Sequence, residues 1–81
     1  MALEVIAKSM GKLERERLTL LGNDWYSAAG KLFLAEKFEC VSHHLGRAYK
    51  LYSLAGNEEQ LQKVIEMQQK VALCMPYINE Q

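Results

Sequence analysis

One short phrase occurs twice in the chain and constrains its architecture more than any other feature. Residues 18–24 read LTLLGND, residues 52–58 read YSLAGNE, and their glycines, at positions 22 and 56, are 34 residues apart. Each copy has the pattern of a joint between two helices: an apolar last turn, a glycine that ends it, an asparagine that caps the next helix, and an acidic residue in the first turn. The repeated phrase therefore predicts helix pairs that recur with a period of 34 residues.

The composition is that of one small folded domain without a strong electrostatic field. The chain has 81 residues, of which 49% are apolar, and its ten basic and ten acidic residues cancel. This apolar fraction is sufficient for a core and is too high for a disordered chain. Nucleic-acid binding usually requires a cluster of basic residues, so the neutral balance argues against a nucleic-acid partner.

The sequence has neither the pattern of a transmembrane helix nor that of a signal peptide. No run reaches the roughly 18 apolar residues of a transmembrane helix, and Glu4 stands where a signal peptide would have basic residues. We therefore expect no membrane partner and a cytoplasmic location. Two cysteines, Cys40 and Cys74, are too few for a disulfide framework, so we expect reduced, buried thiols.

Helical periodicity dominates the sequence and predicts an all-α fold. We expect four antiparallel helices as two helical hairpins, either with repeat-like stacking or as a small four-helix bundle. The predicted helices form a single domain over residues 1–76, and their approximate bounds are 3–21, 24–36, 38–55 and 57–75. Pro76 should end the last helix, leaving 77–81 as a flexible tail. No glycine or proline marks positions 36–37, so either a turn or a continuous helix fits there.

The core should come from apolar stripes on the third and fourth predicted helices. The stripe of the third helix consists of Phe38, Val41, Leu45, Ala48 and Tyr52. The stripe of the fourth consists of Leu61, Val64, Ile65, either Gln68 or Val71, Ala72 and Met75. Both have the three- and four-residue spacing of a helix that buries one face.

Apolar residues of the first predicted helix also recur on alternating three- and four-residue steps. They are Leu3, Ile6, Met10, Leu13 and Leu20, with Arg17 in the remaining position of the stripe. A heptad-like stripe is typical of helices that pair with one another. It predicts a self-association seam and hence a homo-oligomer, although Arg17 disfavours a dry contact unless a partner's acid meets it.

A second stripe lies on the second predicted helix, on a face away from Trp25 and Phe33. It consists of Asp24, Ser27, Lys31 and Leu34 and mixes polar, cationic and apolar groups on a helix that otherwise forms core. If this helix lines a concave surface, these residues are the candidate contacts for a protein partner or peptide.

Residues 25–48 resemble a tetratricopeptide repeat. The matching positions are Tyr26, Ala29, Gly30 and Phe33 in the first helix of the repeat and Val41, Leu45 and Ala48 in the second, with Phe38 just ahead of them. The turn is one residue shorter than the family's, and Val41 replaces the usual alanine. The resemblance implies stacked helix pairs that bind a peptide or helix of another protein, as an adaptor, small chaperone or regulator.

Residues 25–51 are also similar, more weakly, to the HEPN helical domains, some of which are ribonucleases. The catalytic signature of that family is an arginine followed some four to six residues later by a histidine. Here His43 and His44 precede Arg47, and the other arginines lie far upstream. This resemblance therefore implies at most a nucleic-acid-associated domain without nuclease activity.

No arrangement of residues predicts catalysis or a cofactor. Cys40 and His44 are four residues apart, beside His43, and could supply two zinc ligands from one helix face. A structural zinc site needs a second pair, so these are weak candidates and we expect no metal. No nucleophile elbow or glycine-rich phosphate loop is present in the sequence. We therefore expect a non-enzymatic interaction protein, with a self-associating structural protein or the HEPN-like domain as alternatives.

Overall fold

A computed structural model describes residues 11–79 and shows an all-α fold over that range. Its three helices are α1 (Lys12–Leu34), α2 (Phe38–Ala55) and α3 (Glu58–Asn79). The two connections are short, so consecutive helices run antiparallel, and α2 packs against both of the others. Within the described range, no helix combines the length and the apolar character needed to cross a bilayer.

The helix boundary predicted at Gly22 is wrong, because α1 continues through it without a break. Gly22 is buried mid-helix, and a Cβ added there would lie 2.6 Å from Cε1 and 2.8 Å from Cδ1 of Tyr52. The glycine allows an aromatic ring from α2 to approach the α1 backbone. Over the described residues, the helices predicted at 3–21 and 24–36 are thus one helix, and three helices are seen where four are predicted.

The second copy of the phrase is the helix joint that the sequence predicts. Gly56 adopts the left-handed conformation, with φ 68° and ψ 26°. Its N–H donates to the Ser53 carbonyl at 3.1 Å, and the Asn57 N–H donates to the Tyr52 carbonyl at 3.0 Å. This is a Schellman ending for α2. Asn57 then caps α3, since its Oδ1 accepts the Gln60 N–H at 3.2 Å.

The connection between α1 and α2 is a turn rather than a continuous helix. Glu36 takes the left-handed conformation there, with φ 60°. The Glu36 N–H donates to the Phe33 carbonyl and the Lys37 N–H to the Leu32 carbonyl, both at 3.0 Å. The same hydrogen-bond pattern therefore ends α1 without a glycine, at a conformational cost of about 1 kcal/mol for the side chain.

The predicted end of the last helix at Pro76 is also wrong, because α3 extends to Asn79. A proline lacks one N–H and crowds the carbonyl four residues earlier, yet the residues after it can still form helical hydrogen bonds. Of the tail predicted at 77–81, residues 77–79 are helical, and residues 80 and 81 lie outside the described range.

The buried core is built around α2, as its apolar stripe predicts. Val41, Leu45 and Ala48 are fully buried, and Tyr52 is 1% exposed. The core is completed by Ala29 of α1 and by Val64 and Val71 of α3, with Trp25, Tyr26, Leu32, Phe33, Phe38, Leu61, Met67 and Met75 packed around it. The expected burial of Ala72 is wrong, since that residue is exposed.

Candidate functional site

Because α1 is continuous, the two stripes that the sequence assigns to different helices lie along one face of a single helix. We call this face the outer stripe. Its positions follow one another at alternating steps of four and three residues, with no interruption at Gly22. The members are Leu13, Arg17, Leu20, Asp24, Ser27, Lys31 and Leu34, and all seven are exposed.

The outer stripe lies on the side of α1 that faces away from the core. At 3.6 residues per turn, Gly22 is about 180° around the helix from Leu13. Gly22 and Ala29 are the buried residues of α1, and both face α2 and the core. Trp25 and Phe33 are partly buried on that inner side. Stripe side chains can therefore be changed without opening a cavity.

Three leucines make the outer stripe apolar at intervals. Leu13 and Leu20 are each 62% exposed, and Leu34 is 85% exposed. A single exposed leucine is ordinary on a protein surface, whereas several at heptad spacing on one helix face are typical of a surface that packs against another helix. The remaining members of the predicted self-association seam, Leu3, Ile6 and Met10, lie outside the described residues.

The stripe positions between the leucines carry charges of alternating sign. Arg17, Asp24 and Lys31 are spaced seven residues apart, which corresponds to about 10.5 Å along the helix axis. The stripe therefore presents a cation, an anion and a cation in one line, separated by Leu20 and by Ser27.

A network of hydrogen bonds on the inner side holds α1 against the joint between α2 and α3. Asn23 Oδ1 accepts the Tyr52 hydroxyl at 2.5 Å and the Gln60 Nε2 at 3.2 Å. The Asn57 amide lies 3.5 Å from the Thr19 hydroxyl. The two copies of the repeated phrase thus contact one another, and this contact fixes which side of α1 faces outward.

Burial affects the ionisation of the tyrosine at the centre of this network. Desolvation raises the pKa of Tyr52 above its usual value of 10.0, and the neighbouring Tyr26 raises it further. The neutral hydroxyl is the form that donates to Asn23. The sequence assigns Asn23 to capping a new helix, and the structure gives it this cross-helix role instead.

An open cleft of about 740 Å³ adjoins the stripe where α1 passes the end of α2. Its lining includes Lys12, Arg15, Leu20 and Asn57, so Leu20 belongs both to the cleft and to the outer stripe. Arg15 Nε donates to the Ala55 carbonyl at 3.0 Å. A cation is favourable at that place because the carbonyls at the end of a helix carry partial negative charge.

The two histidines singled out from the sequence lie beside the Trp25 ring. Ring centroids of His44 and His43 lie 5.1 and 6.3 Å from that of Trp25, both edge-on. His44 Nδ1 is 2.8 Å from the carbonyl oxygen of Cys40. No group of three histidine, cysteine or acidic residues that could hold a metal ion occurs in the part of the chain described.

The predicted burial of Cys40 is wrong. Cys40 is exposed and Cys74 is half-buried. Residue 40 lies one position before the core residue Val41 on α2, and a shift of about 100° per residue turns it outward.

Comparison with known proteins gives no relative from which a function could be assigned to the outer stripe. No protein-family model matches the chain, and neither a curated protein nor a solved structure is similar to it. The resemblances to tetratricopeptide repeats and to HEPN domains stay predictions. The case for a function therefore depends on the geometry of the outer stripe.

Proposed function

We propose that this chain is a non-enzymatic protein–protein interaction module, an adaptor, small chaperone or regulator, that binds a helix of a partner along the outer stripe of α1. The observation that carries the proposal is one unbroken line of seven exposed residues opposite the core, with leucines at positions 13, 20 and 34. Amphipathic helices recognise one another through residues spaced in this way.

The size of the apolar contribution indicates a reversible complex. Burying a leucine side chain contributes about 1.5–3 kcal/mol, so three leucines contribute about 5–9 kcal/mol before the costs of association are subtracted. Association itself costs at least about 4 kcal/mol, so the net contribution of the three leucines is much smaller. These leucines alone therefore support only weak, reversible binding.

The resemblance to tetratricopeptide repeats agrees with this role and suggests which helices would form a repeat. In our proposal, α1 and α2 form one helix pair, and α3 begins the next pair after the Gly56–Asn57 joint. We place the protein in the cytoplasm, where free thiols such as those of Cys40 and Cys74 stay reduced.

A double substitution in the stripe tests the proposal. The tagged protein is expressed in its native host, and co-purifying proteins are identified by mass spectrometry. Lys31→Glu/Leu34→Asp should remove a stoichiometric partner while the helical circular dichroism stays unchanged, because both side chains are exposed.

The chain offers a matched control for this experiment on α3. Lys70 and Leu73 have the same chemistry, the same three-residue spacing and exposed side chains. Lys70→Glu/Leu73→Asp should therefore retain the partner. Equal loss in both variants, or retention in both, would contradict the assignment of the binding face to α1.

Self-association is the second candidate function, because the exposed Leu13 and Leu20 belong to the seam that the sequence predicts for it. Light scattering at tens of micromolar distinguishes the two. A folded monomer would exclude an obligate dimer and leave a separate partner as the occupant of the stripe.

A further inference from the structure

The cleft between α1 and the end of α2 has the size of a small-molecule site. Its volume of about 740 Å³ lies within the range of about 300–1,000 Å³ that is usual for such sites. Leu20 and the buried Ala55 give the cleft apolar surface. Lys12 and Arg15 contribute the methylenes of their side chains as well as their charges. The cleft therefore combines apolar contacts with positively charged groups.

The polar groups of the cleft are mostly hydrogen-bond donors. Lys12 and Arg15 carry donors and no side-chain acceptor. Asn57 adds a further donor, because its Oδ1 accepts the Gln60 N–H and its Nδ2 is the atom that faces Thr19. The distance of 3.5 Å from Nδ2 to the Thr19 hydroxyl is that of a weak hydrogen bond, which a ligand can replace. This lining suits a ligand whose polar atoms only accept hydrogen bonds.

Arg15 is held in position to bind a carboxylate. Its Nε donates to the Ala55 carbonyl at 3.0 Å, across the gap from α1 to the end of α2. Arginine binds carboxylates most strongly through two N–H groups at once, and the two terminal nitrogens, which the bond to Ala55 does not engage, provide such a pair. Because that bond already restricts the side chain, less conformational entropy is lost when a ligand binds.

The charges of the cleft favour a ligand with a single negative charge. Two cations, Lys12 and Arg15, line it together with one acid, Glu16. The excess of positive charge attracts a monoanion and repels a cation. A second negative charge on the ligand, as in a phosphate monoester, would be repelled by Glu16.

We propose that this cleft binds a free fatty acid in its carboxylate form. The carboxylate binds Arg15 and Lys12, and the hydrocarbon tail packs against Leu20 and Ala55. A peptide with a free C-terminus presents the same carboxylate, but its backbone N–H groups need acceptors as well. Glu16 is the one acid of the described lining. The excess of donors therefore favours a ligand that has no donors of its own.

Titration of the isotope-labelled protein with octanoate, followed by amide chemical shifts, measures both the affinity and the place of binding. Octylammonium keeps the tail and reverses the charge, while N-acetyl-leucylleucine keeps the carboxylate on a peptide. We expect octanoate to shift the amides of Thr19, Leu20, Ala55 and Asn57 in a saturable way. It should bind at least about tenfold more tightly than either comparison compound, because repulsion or unpaired N–H groups weaken those two.

Leu13 and Leu20 provide a matched pair of variants for locating the tail. Each is 62% exposed on the outer stripe, and of the two only Leu20 lines the cleft. Leu20→Asp should weaken octanoate binding at least about tenfold, because it replaces an apolar contact by a negative charge. Leu13→Asp should retain the wild-type affinity. Equal loss in both variants would contradict binding in the cleft.

A second pair of variants locates the carboxylate. Lys12→Gln/Arg15→Gln removes both cations of the cleft and should weaken octanoate binding at least about tenfold. Lys63→Gln/Lys70→Gln removes two exposed cations of α3 and should leave the affinity unchanged. Circular dichroism checks that each variant is folded. Equal binding of octanoate and octylammonium, tighter binding of the peptide, or amide shifts away from the cleft would overturn the inference.

This inference goes beyond the proposed function, and different variants test the two. The cleft shares Leu20 with the outer stripe, whereas Lys31 and Leu34 lie further along α1. Lys31→Glu/Leu34→Asp should therefore lose a protein partner and still bind octanoate. Failure of wild type to bind octanoate would refute the fatty-acid site and leave the partner-binding face standing.

Discussion

Replacing Gly22 by alanine tests the reason why α1 does not break there. The added Cβ would lie 2.6 Å from Tyr52 Cε1, closer than real Cβ contacts allow. The ring cannot swing into solvent, because Tyr52 is 1% exposed and its hydroxyl donates to Asn23. Overpacking of this kind costs about 1–3 kcal/mol, and alanine returns about 1 kcal/mol of helix propensity. The net effect should be a destabilisation of about 0–2 kcal/mol.

Gly46→Ala is the matched control, since Gly46 also lies inside a helix and an added Cβ there meets nothing within 4 Å. It should stabilise the protein by about 1 kcal/mol through propensity alone. The difference between the two variants isolates the steric term, expected at about 1–3 kcal/mol. Urea unfolding followed by circular dichroism measures both free energies of unfolding on one scale.

The result that would refute this reasoning is equal stabilisation by Gly22→Ala and Gly46→Ala. Gly22 would then be an ordinary helix glycine, and its contact with Tyr52 would have no energetic consequence. A double-mutant cycle adds a second check. In a Tyr52→Leu background, where the ring is absent, Gly22→Ala should lose most of its steric cost.

Three further predictions concern the helix ends and the buried tyrosine. Glu36→Gly should raise the free energy of unfolding by about 1 kcal/mol, because residue 36 is left-handed. Gly56→Ala, at the equivalent position after α2, should lower it. Urea unfolding of both variants measures whether the two changes have these opposite signs. Asn57→Ala should cost about 1 kcal/mol by the same assay, since the Gln60 N–H loses its acceptor. The raised pKa of Tyr52 means that the folded state holds this proton more tightly than the unfolded chain; stability should therefore be unaffected by this group below about pH 10 and fall above it. Tyr52→Phe should reduce that fall in melts between neutral pH and pH 11, and an unchanged fall would assign it to other tyrosines.

Local patterns were sufficient to predict α2. Its bounds, its buried stripe and the joint at Gly56 and Asn57 all follow from residues that are close together in sequence. Periodic burial and capping act within a few turns, so the pattern contains what is needed. The left-handed conformation of Glu36 could not be predicted in this way, because residues 36–37 contain no glycine. The turn there follows from the packing of α1 on α2.

The role of Gly22 could not be read locally, because Tyr52, which decides it, lies 30 residues later. In the sequence, a glycine followed by an asparagine fits two different structures equally well. One is a joint between two helices, and the other is a continuous helix in which the glycine makes room for an aromatic ring. The missed signal was the register of the outer stripe, whose three- and four-residue steps continue from Leu13 to Leu34 across the supposed break. A joint between helices would have disturbed those steps.

The sequence predicts the stripe residues as two separate sets. Asp24, Ser27, Lys31 and Leu34 are predicted to contact a partner, while Leu13 and Leu20 are predicted to belong to a self-association seam. Continuity of α1 unites them. The identity of a partner is not contained in the chain, because an exposed helix face specifies only a complementary pattern of charge and apolar surface.

The unequal attachment of the three helices has a consequence for how the native protein opens. The fully buried side chains of α3 within residues 58–75 are Val64 and Val71, whereas α2 contributes most of the core. Native-state hydrogen exchange should therefore show α3 opening as a separate unit, at lower free energy than the hairpin of α1 and α2. Because the outer stripe lies on that hairpin, its surface would stay folded while α3 is open. A partner bound there would then remain bound during the local unfolding of α3.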